Sequence, residues 1–375
     1  MKNRDKTTKV QIERNKKMYV AMSGGVDSSV AAALLKKQGH DVVGVFFKPW
    51  APQNMSGAFC NWKEDREDAM RVAAKIGIPF KTWDFSKEYG KEVVGYMVKG
   101  YKRGETPNPD VMCNKEIKFG LFLKRALSEG ADYIATGHYV RRSEIKKPNK
   151  RYKLLKGIDD NKDQSYFLWT LSQNQLKHCL FPVGDYTKPE IRKMAKKFGL
   201  PNHDKKDSQG VCFVGKMDVK DFLTTQIKSK PGDVILKETG KIIGTHDGVY
   251  YYTIGQRHGL NLGIAGGPYF VVGKDVKKNA IHVSGDRVFN KKFTANSLNW
   301  VNEHDIASAK KPVKLSIKIR YRNKSVPALV SKSRKKNSAN IEFLKPVSDI
   351  TIGQSAVFYK GQEMVGGGII ENIKQ

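Results

Sequence analysis

Met18-Tyr19-Val20-Ala21-Met22-Ser23-Gly24-Gly25-Val26-Asp27-Ser28-Ser29-Val30 joins an apolar run of strand length to a helical pattern that continues from Ser28 to Gln38. Between the two lies a seven-residue loop, Ser23 to Ser29. A glycine pair lets backbone N–H groups turn toward an anion, and the serines add hydroxyl donors. The helix N-terminus contributes the favourable end of its dipole, so a phosphate is the natural ligand. No Lys follows the second glycine as in G-x-x-x-x-G-K-[ST], and the spacing is not G-x-G-x-x-G. The competing reading is a tight strand-to-helix turn with serine capping.

Working outward, Asp41 to Lys48 supplies the next strand, giving a βαβ rhythm. Lys63 to Ile76 continues it as a helix with Ala69, Val72, Ala73 and Ile76 on one face, stopped by Gly77. Lys81 to Phe85 reads as a strand. So does Tyr133 to His138, with Gly137 near its end, where open parallel sheets hold their ligands. Thr187-Lys188-Pro189-Glu190 is a capping box opening a helix with an inner stripe of Ile191, Met194, Ala195 and Phe198, closed by Gly199 and Pro201. The fold class expected is α/β: a doubly wound parallel-sheet domain over 18–216, behind a basic extension over 1–17. After Phe222 turn signals separate short strands, including Val249 to Ile254 and Tyr269 to Val272, which defines a small central β-rich domain over 217–287. From 288 to 375, Lys314 to Tyr321, Pro327 to Ser331, Asn340 to Phe343 and Gln354 to Tyr359 make a barrel or a sandwich, with Lys332 to Ser338 as a loop.

The chain has 375 residues, and its 68 Lys and Arg against 37 Asp and Glu give a formal charge of +31. That surplus points to a polyanionic partner; a composition that simply favours Lys is the other reading. Hydrophobic residues at 39% exclude a wholly disordered chain, and runs such as Val42 to Phe47 are too short to span a bilayer. The four cysteines, Cys60, Cys113, Cys179 and Cys212, form no C-x-x-C pair, which argues for a reducing cytoplasm without a zinc ribbon. The run from Met1 to Lys17 is basic, lacks an apolar core and contains Asp5 and Glu13, against secretion or organelle import.

Two cysteines stand in polar wording. Asn108-Pro109-Asp110-Val111-Met112-Cys113-Asn114-Lys115 is a turn opening a helix, which sets Cys113 near a positive dipole and a lysine, a setting that lowers a thiol pKa. Ser208-Gln209-Gly210-Val211-Cys212-Phe213 places Cys212 beside glycine. Taken alone, each cysteine is more often a small buried hydrophobe. Cys60 and Cys179 fall in no such motif and read as structural.

The loop S-G-G-V-D-S-S resembles the PP-loop of the ATP pyrophosphatases, which cleave ATP to AMP and pyrophosphate. Together with N-P-D-x-x-C-N-K-x-I-K-F, A-T-G-H-Y, K-D-Q-S-Y-F-L, S-Q-G-x-C-F, I-R-Y-R and G-Q-S-A-V-F-Y, spread from residue 23 to 359, it resembles the tRNA-specific 2-thiouridylases. The resemblance implies a PP-loop catalytic domain, a central domain and a C-terminal β-barrel, acting on the wobble uridine of tRNAs for Lys, Glu and Gln. It implies that ATP adenylates the uracil O2, that a persulfide on Cys212 delivers sulfur to C2, and that Cys113 is the partner thiol, with a transient Cys113–Cys212 disulfide. Asp110 is the candidate acid/base. ATP contacts carried over are Ala21, Met22, Ser23, Gly24, Gly25, Val26, Asp27, Ser28 and Gly137, with Asp27 toward Mg2+; Phe47 stands where the family commonly has methionine. Carried tRNA contacts are Asn108, Pro109, Asp110, His138, Lys162, Asp163, Gln164, Arg320, Tyr321 and Gln354. The implied partners are tRNA through its anticodon stem-loop and a cysteine desulfurase or sulfur-relay protein as persulfide donor. From the residues alone, His138 is as well read as a satisfied strand-end histidine, and Tyr166, Phe167 and Trp169 as core. Two rivals remain. A PP-loop synthetase for a small molecule has no use for two separated cysteines, and an inert RNA-binding relic has no need of an intact loop.

Overall fold

The computed structural model describes residues 12–50, 62–145, 150–207, 219–260, 262, 267–302 and 311–374. Strand β1 (Lys17–Ala21) pairs in parallel with β2 (Asp41–Lys48), Met18 opposite Val42, and on its other side with β4 (Tyr133–Ala135), Met18 opposite Tyr133. Adding β3 (Phe80–Asp84) and β7 (Cys179–Leu180) gives a parallel sheet of order β3-β2-β1-β4-β7. Alternate side chains of β1 enter different cores. Met18 and Val20 pack with Val30, Val72 and Ile191, whereas Tyr19 packs with Val45, Trp83 and Phe122. Burial on both faces explains why these strands read as nearly unbroken apolar runs.

Helix α1 (Val26–Lys37) starts directly after the glycine pair, and α2 (Trp62–Ile76) buries Ala69, Val72 and Ala73, the face read from sequence. The helix Lys188–Lys197 buries Ile191 and Ala195. Both the N–H and the hydroxyl of Thr187 donate to Glu190, at 2.7 and 2.9 Å. Because chain order reverses between β1 and β4, their C-terminal ends open the crevice in which such sheets bind ligands.

The central module is a four-stranded sheet of order β10-β11-β8-β9, made of β8 (Gly232–Leu236), β9 (Ile242–His246), β10 (Phe270–Asp275) and β11 (Ala280–Ser284). The strand expected over Val249 to Ile254 is instead a 3-10 turn at Val249–Tyr251. Gly248, at φ +148°, turns the chain, and the Tyr251 hydroxyl donates to the Ile227 carbonyl at 2.6 Å. Strands β12 (Phe289–Trp300), β13 (Val313–Lys318), β14 (Val326–Lys332), β15 (Ala339–Ser348), β16 (Ser355–Lys360) and β17 (Glu363–Lys374) close into a six-stranded barrel through β12–β17 pairing. This decides barrel over sandwich.

The sequence reading did not foresee that the hairpin β5 (Val140–Ile145) and β6 (Arg151–Lys156) joins the barrel's sheet, with Leu154 opposite Met364 on β17. From Lys162 to Trp169 the chain makes no more helix than one 3-10 turn, Ser165–Leu168. The reason lies in its side chains. Asp163 accepts the N–H groups of Gly157 and Ser165, at 3.2 and 3.1 Å, and the indole of Trp169 donates to the Ser355 hydroxyl in the barrel at 3.0 Å.

Candidate functional site

At the end of β1 the loop is held by its own serines. Ser28 Oγ accepts the Ser23 N–H at 3.2 Å and donates to the Gly25 carbonyl at 3.1 Å, and Ser29 Oγ donates to that same carbonyl at 2.9 Å. Gly24 has φ +77°, and a Cβ there would lie 2.2 Å from the Asp65 carbonyl, so helix α2 presses on the turn and only glycine fits. Gly137, at the end of β4, comes equally close: its Cβ would sit 2.7 Å from the Ser28 nitrogen. Ala21 and Met22 lead into the turn, the Met22 N–H donating to Val45 at 2.8 Å, and Val26 is buried beneath it. Asn202 clamps the loop from behind, its Nδ2 donating to the Gly24 carbonyl at 2.8 Å and to Ser29 Oγ at 2.9 Å.

Asp27 stands in the first turn of α1 and shares Oδ1 between the Tyr139 hydroxyl at 2.6 Å and Lys188 Nζ at 2.7 Å. Lys188 also pairs with Asp207 at 2.8 Å, and Asp207 pairs further with Lys162 at 2.6 Å and Arg192 at 3.0 Å. Partial burial acts to raise the Asp207 pKa, but the hydrogen bonds from Lys162 and Lys188 prevail and hold it down at about 2. Burial first, then the neighbouring Asp27, pushes the Tyr139 hydroxyl well above its usual range, so it stays a donor. Among the described residues no group of three His, Cys, Asp or Glu side chains gathers to hold a metal ion. Asp27 Oδ1 is thus already engaged by a tyrosine and a lysine, and it is a single carboxylate of the kind that meets magnesium together with substrate phosphates.

The second motif sits against the barrel. Asn108 caps the short helix Pro109–Met112 by accepting the Val111 N–H at 3.2 Å, Pro109 takes the first helical position, and Asp110 follows in the first turn. Cys113 then opens a π-helix, Cys113–Phe122, and is fully buried. The preceding loop is clasped by the barrel: the Thr106 N–H donates to Ile352 at 2.9 Å and Gln354 Nε2 donates to the Thr106 carbonyl at 2.8 Å. His138 bridges the two motifs. Its backbone neighbour Gly137 touches the loop, while its ring lies 5.8 Å from that of Phe119 on the π-helix and its Nδ1 is 2.8 Å from Thr136 Oγ1. Burial, followed by Lys118, drives its pKa far below 6.5, so it is neutral.

Other residues singled out from sequence are placed as follows. Gln164 Oε1 accepts the Tyr139 N–H at 2.9 Å. Asp163 is buried and also approached by Lys318 at 3.5 Å. Arg320 donates to the Ile254 carbonyl at 2.6 Å and to Thr351 Oγ1 at 2.9 Å, tying the central module to the barrel. Tyr321 packs on Phe167 with ring centroids 4.4 Å apart and planes tilted by 43°. Phe47 is buried edge-on against Phe122 at 4.9 Å and Phe85 at 5.5 Å. Cys179 is buried in β7, where desolvation raises its pKa, in keeping with a structural role. Cys212 and Cys60 lie outside the described residues. Sequence reasoning missed Tyr139, Lys188, Asn202 and Asp207 as parts of this site. The A-T-G-H-Y and T-K-P-E motifs held the first two in view, but nothing local pointed to their partners.

A serine- and glycine-built phosphate loop at the switch point of a parallel sheet, followed by a small β module and a closed barrel, defines a PP-loop α/β protein with two β appendages. Three family models match in order: the tRNA methyl transferase HUP domain over residues 16–216, the tRNA methyl transferase PRC-barrel domain over 220–285 and the aminomethyltransferase beta-barrel domain over 290–370. Curated tRNA-specific 2-thiouridylases are similar along nearly the whole chain. That of Bacillus licheniformis is 46% identical over 361 residues, 95% of each chain, and those of Listeria monocytogenes and Bacillus subtilis are 46% and 44% identical over the same share. The chain belongs to the tRNA-specific 2-thiouridylase family. Among solved structures, a 4-thiouridine synthetase–RNA complex with bound ATP is a distant likeness, at 21% identity and a TM-score of 0.37 over 54% of this chain and 46% of its own. Among the described residues no helix is long and apolar enough to cross a membrane.

Proposed function

We propose that this enzyme replaces the C2 oxygen of the wobble uridine by sulfur in tRNAs for Lys, Glu and Gln, at the expense of ATP. Uracil O2 is a poor leaving group and needs activation. O2 attacks the α-phosphorus of ATP as the base gives up its N3 proton, with Asp110 as the candidate acceptor, and pyrophosphate departs with the bonding pair. The persulfide on Cys212 then attacks C2, and the Cys113 thiolate attacks Cys212 Sγ. The sulfur–sulfur bond breaks toward the base, a Cys113–Cys212 disulfide forms and AMP leaves; a thiol reductant resets the pair. The persulfide comes from a cysteine desulfurase or a relay protein. Magnesium comes with the triphosphate, and Asp27 is the candidate residue toward it.

One observation carries the reading: the end of β4 touches both halves of the chemistry. Gly137 abuts the Asp27–Ser28 backbone of the phosphate loop, and the adjoining His138 packs on the helix that begins with Cys113. Gln354 holds the Thr106 segment that leads into Asn108 to Asp110, which supports presenting the base beside that motif; His138, Lys162 to Gln164, Arg320 and Tyr321 are the proposed flanking tRNA contacts. Purified enzyme with ATP, magnesium, a persulfide donor and unmodified tRNA should yield 2-thiouridine at the wobble position by mass spectrometry. Cys212→Ser should release pyrophosphate on tRNA addition yet form no thiolated base. Thiolation by that variant would refute the role of Cys212, and pyrophosphate release without thiolation by the wild type would point to another acceptor.

A further inference from the structure

The loop Ser23–Ser29 contains no cation, and the first turn of α1 adds a carboxylate, Asp27. A triphosphate drawn to the loop's N–H groups therefore meets a like charge, whose repulsion offsets the attraction of the helix dipole. The cation that answers Asp27 comes from 161 residues further on: Lys188, whose Nζ lies 2.7 Å from Asp27 Oδ1 and 2.8 Å from Asp207 Oδ1, with its side chain 11% exposed.

Three features make this lysine more than a bolt between two carboxylates. Its root is fixed, because the Lys188 N–H donates to Asp159 Oδ2 at 2.9 Å, so only the side chain needs to move. Neither carboxylate depends on it, since Asp207 keeps Lys162 and Arg192, and Asp27 keeps the Tyr139 hydroxyl at 2.6 Å. The ammonium can thus turn away without stranding a charge, the step that usually makes breaking a buried ion pair costly. Finally, Asp27 immediately precedes Ser28, whose nitrogen and hydroxyl shape the phosphate loop, so the ammonium already stands at the loop's edge.

We propose that Lys188 is a binding residue for the pyrophosphate portion of ATP, shifting its ammonium from Asp27 and Asp207 onto the β- and γ-phosphate oxygens and supplying the charge that the loop lacks. The proposal rests on reading the loop as the ATP site. When the bond between the α-phosphorus and its bridging oxygen breaks, the electron pair goes to the departing pyrophosphate, and Lys188 neutralises that charge as it grows.

The test is calorimetric binding of α,β-methylene-ATP, pyrophosphate and AMP, with magnesium, to the full-length enzyme and to Lys188→Met. Affinity for the analogue and for pyrophosphate should fall by about tenfold to a hundredfold, the span expected of a charge-assisted hydrogen bond, and AMP affinity should stay within twofold. The double variant Lys188→Met/Asp207→Asn removes the Asp207 share of the carboxylate repulsion left by the first change and should remain as weak. Unchanged analogue binding by Lys188→Met, an equal loss for AMP, or recovery in the double variant would each overturn the proposal. A wild-type enzyme that binds neither the analogue nor pyrophosphate would instead overturn the ATP reading beneath it.

Discussion

Asp207 illustrates how one side chain can set an acid limit. Its pKa of about 2 lies below the ordinary carboxylate value of 3.8, so its ion pairs contribute their full stability above about pH 4 and lose it as pH falls toward 2. Melting temperature followed from pH 5 downward should fall less steeply for Asp207→Asn than for wild type; parallel curves would remove Asp207 from the acid response. At this scale the sequence exposed what is contiguous. Ser23 to Ser29 and Gly137 could be picked out from their neighbours because a turn's demands are local. Lys188 and Asn202 could not, since their partners lie 161 and 178 residues away and only the folded sheet brings them to the loop. Cys113 shows a subtler gap. Its helix start and its lysine neighbour were readable, whereas its complete burial follows from the π-helix packing behind Asn108's cap.

Arg320 matters at the scale of elements, because its guanidinium joins the β13–β14 turn to the Ile254 carbonyl of the central module. Arg320→Ala should raise hydrogen exchange and proteolysis around residues 253–256 while leaving the barrel strands protected, and Arg320→Lys should not restore protection because it loses the forked geometry. Exchange unchanged in the alanine variant would refute this linking role and leave Arg320 only as a proposed tRNA contact. The strands of the parallel sheet and most of the barrel were legible from apolar patterning, since a strand buried on one or both faces must show it. Others were not. Val249 to Ile254 is rich in β-branched and aromatic residues like a strand, yet it forms a 3-10 turn after Gly248, and the glycines at 366–368 of β17 carry no strand signal of their own. Their reason is steric: a Cβ at Gly367 would lie 2.8 Å from the Trp169 ring, and one at Gly366 2.3 Å from the Asn299 carbonyl. The glycines make room for a neighbour, a cause invisible in the strand itself.

For the whole molecule, the charge of +31 has two readings, a polyanion partner or a lysine-rich composition, and salt separates them. If six or more phosphates are contacted, tRNA affinity should fall by roughly a thousandfold between 50 and 200 mM salt. A change of less than about threefold would assign the surplus to composition.

The hairpin β5–β6 also carries a consequence for how the chain is made. Its second strand, β6, pairs with Glu363 and Met364, so residues 151–156 emerge from the ribosome some two hundred residues before the strand that covers them. Until then the nascent nucleotide-binding module exposes an uncapped sheet edge, the surface on which chains stick to one another. A ribosome that stalls inside the barrel therefore releases a product with an intact phosphate loop and an open edge, one that quality-control proteases and chaperones can tell from the finished enzyme.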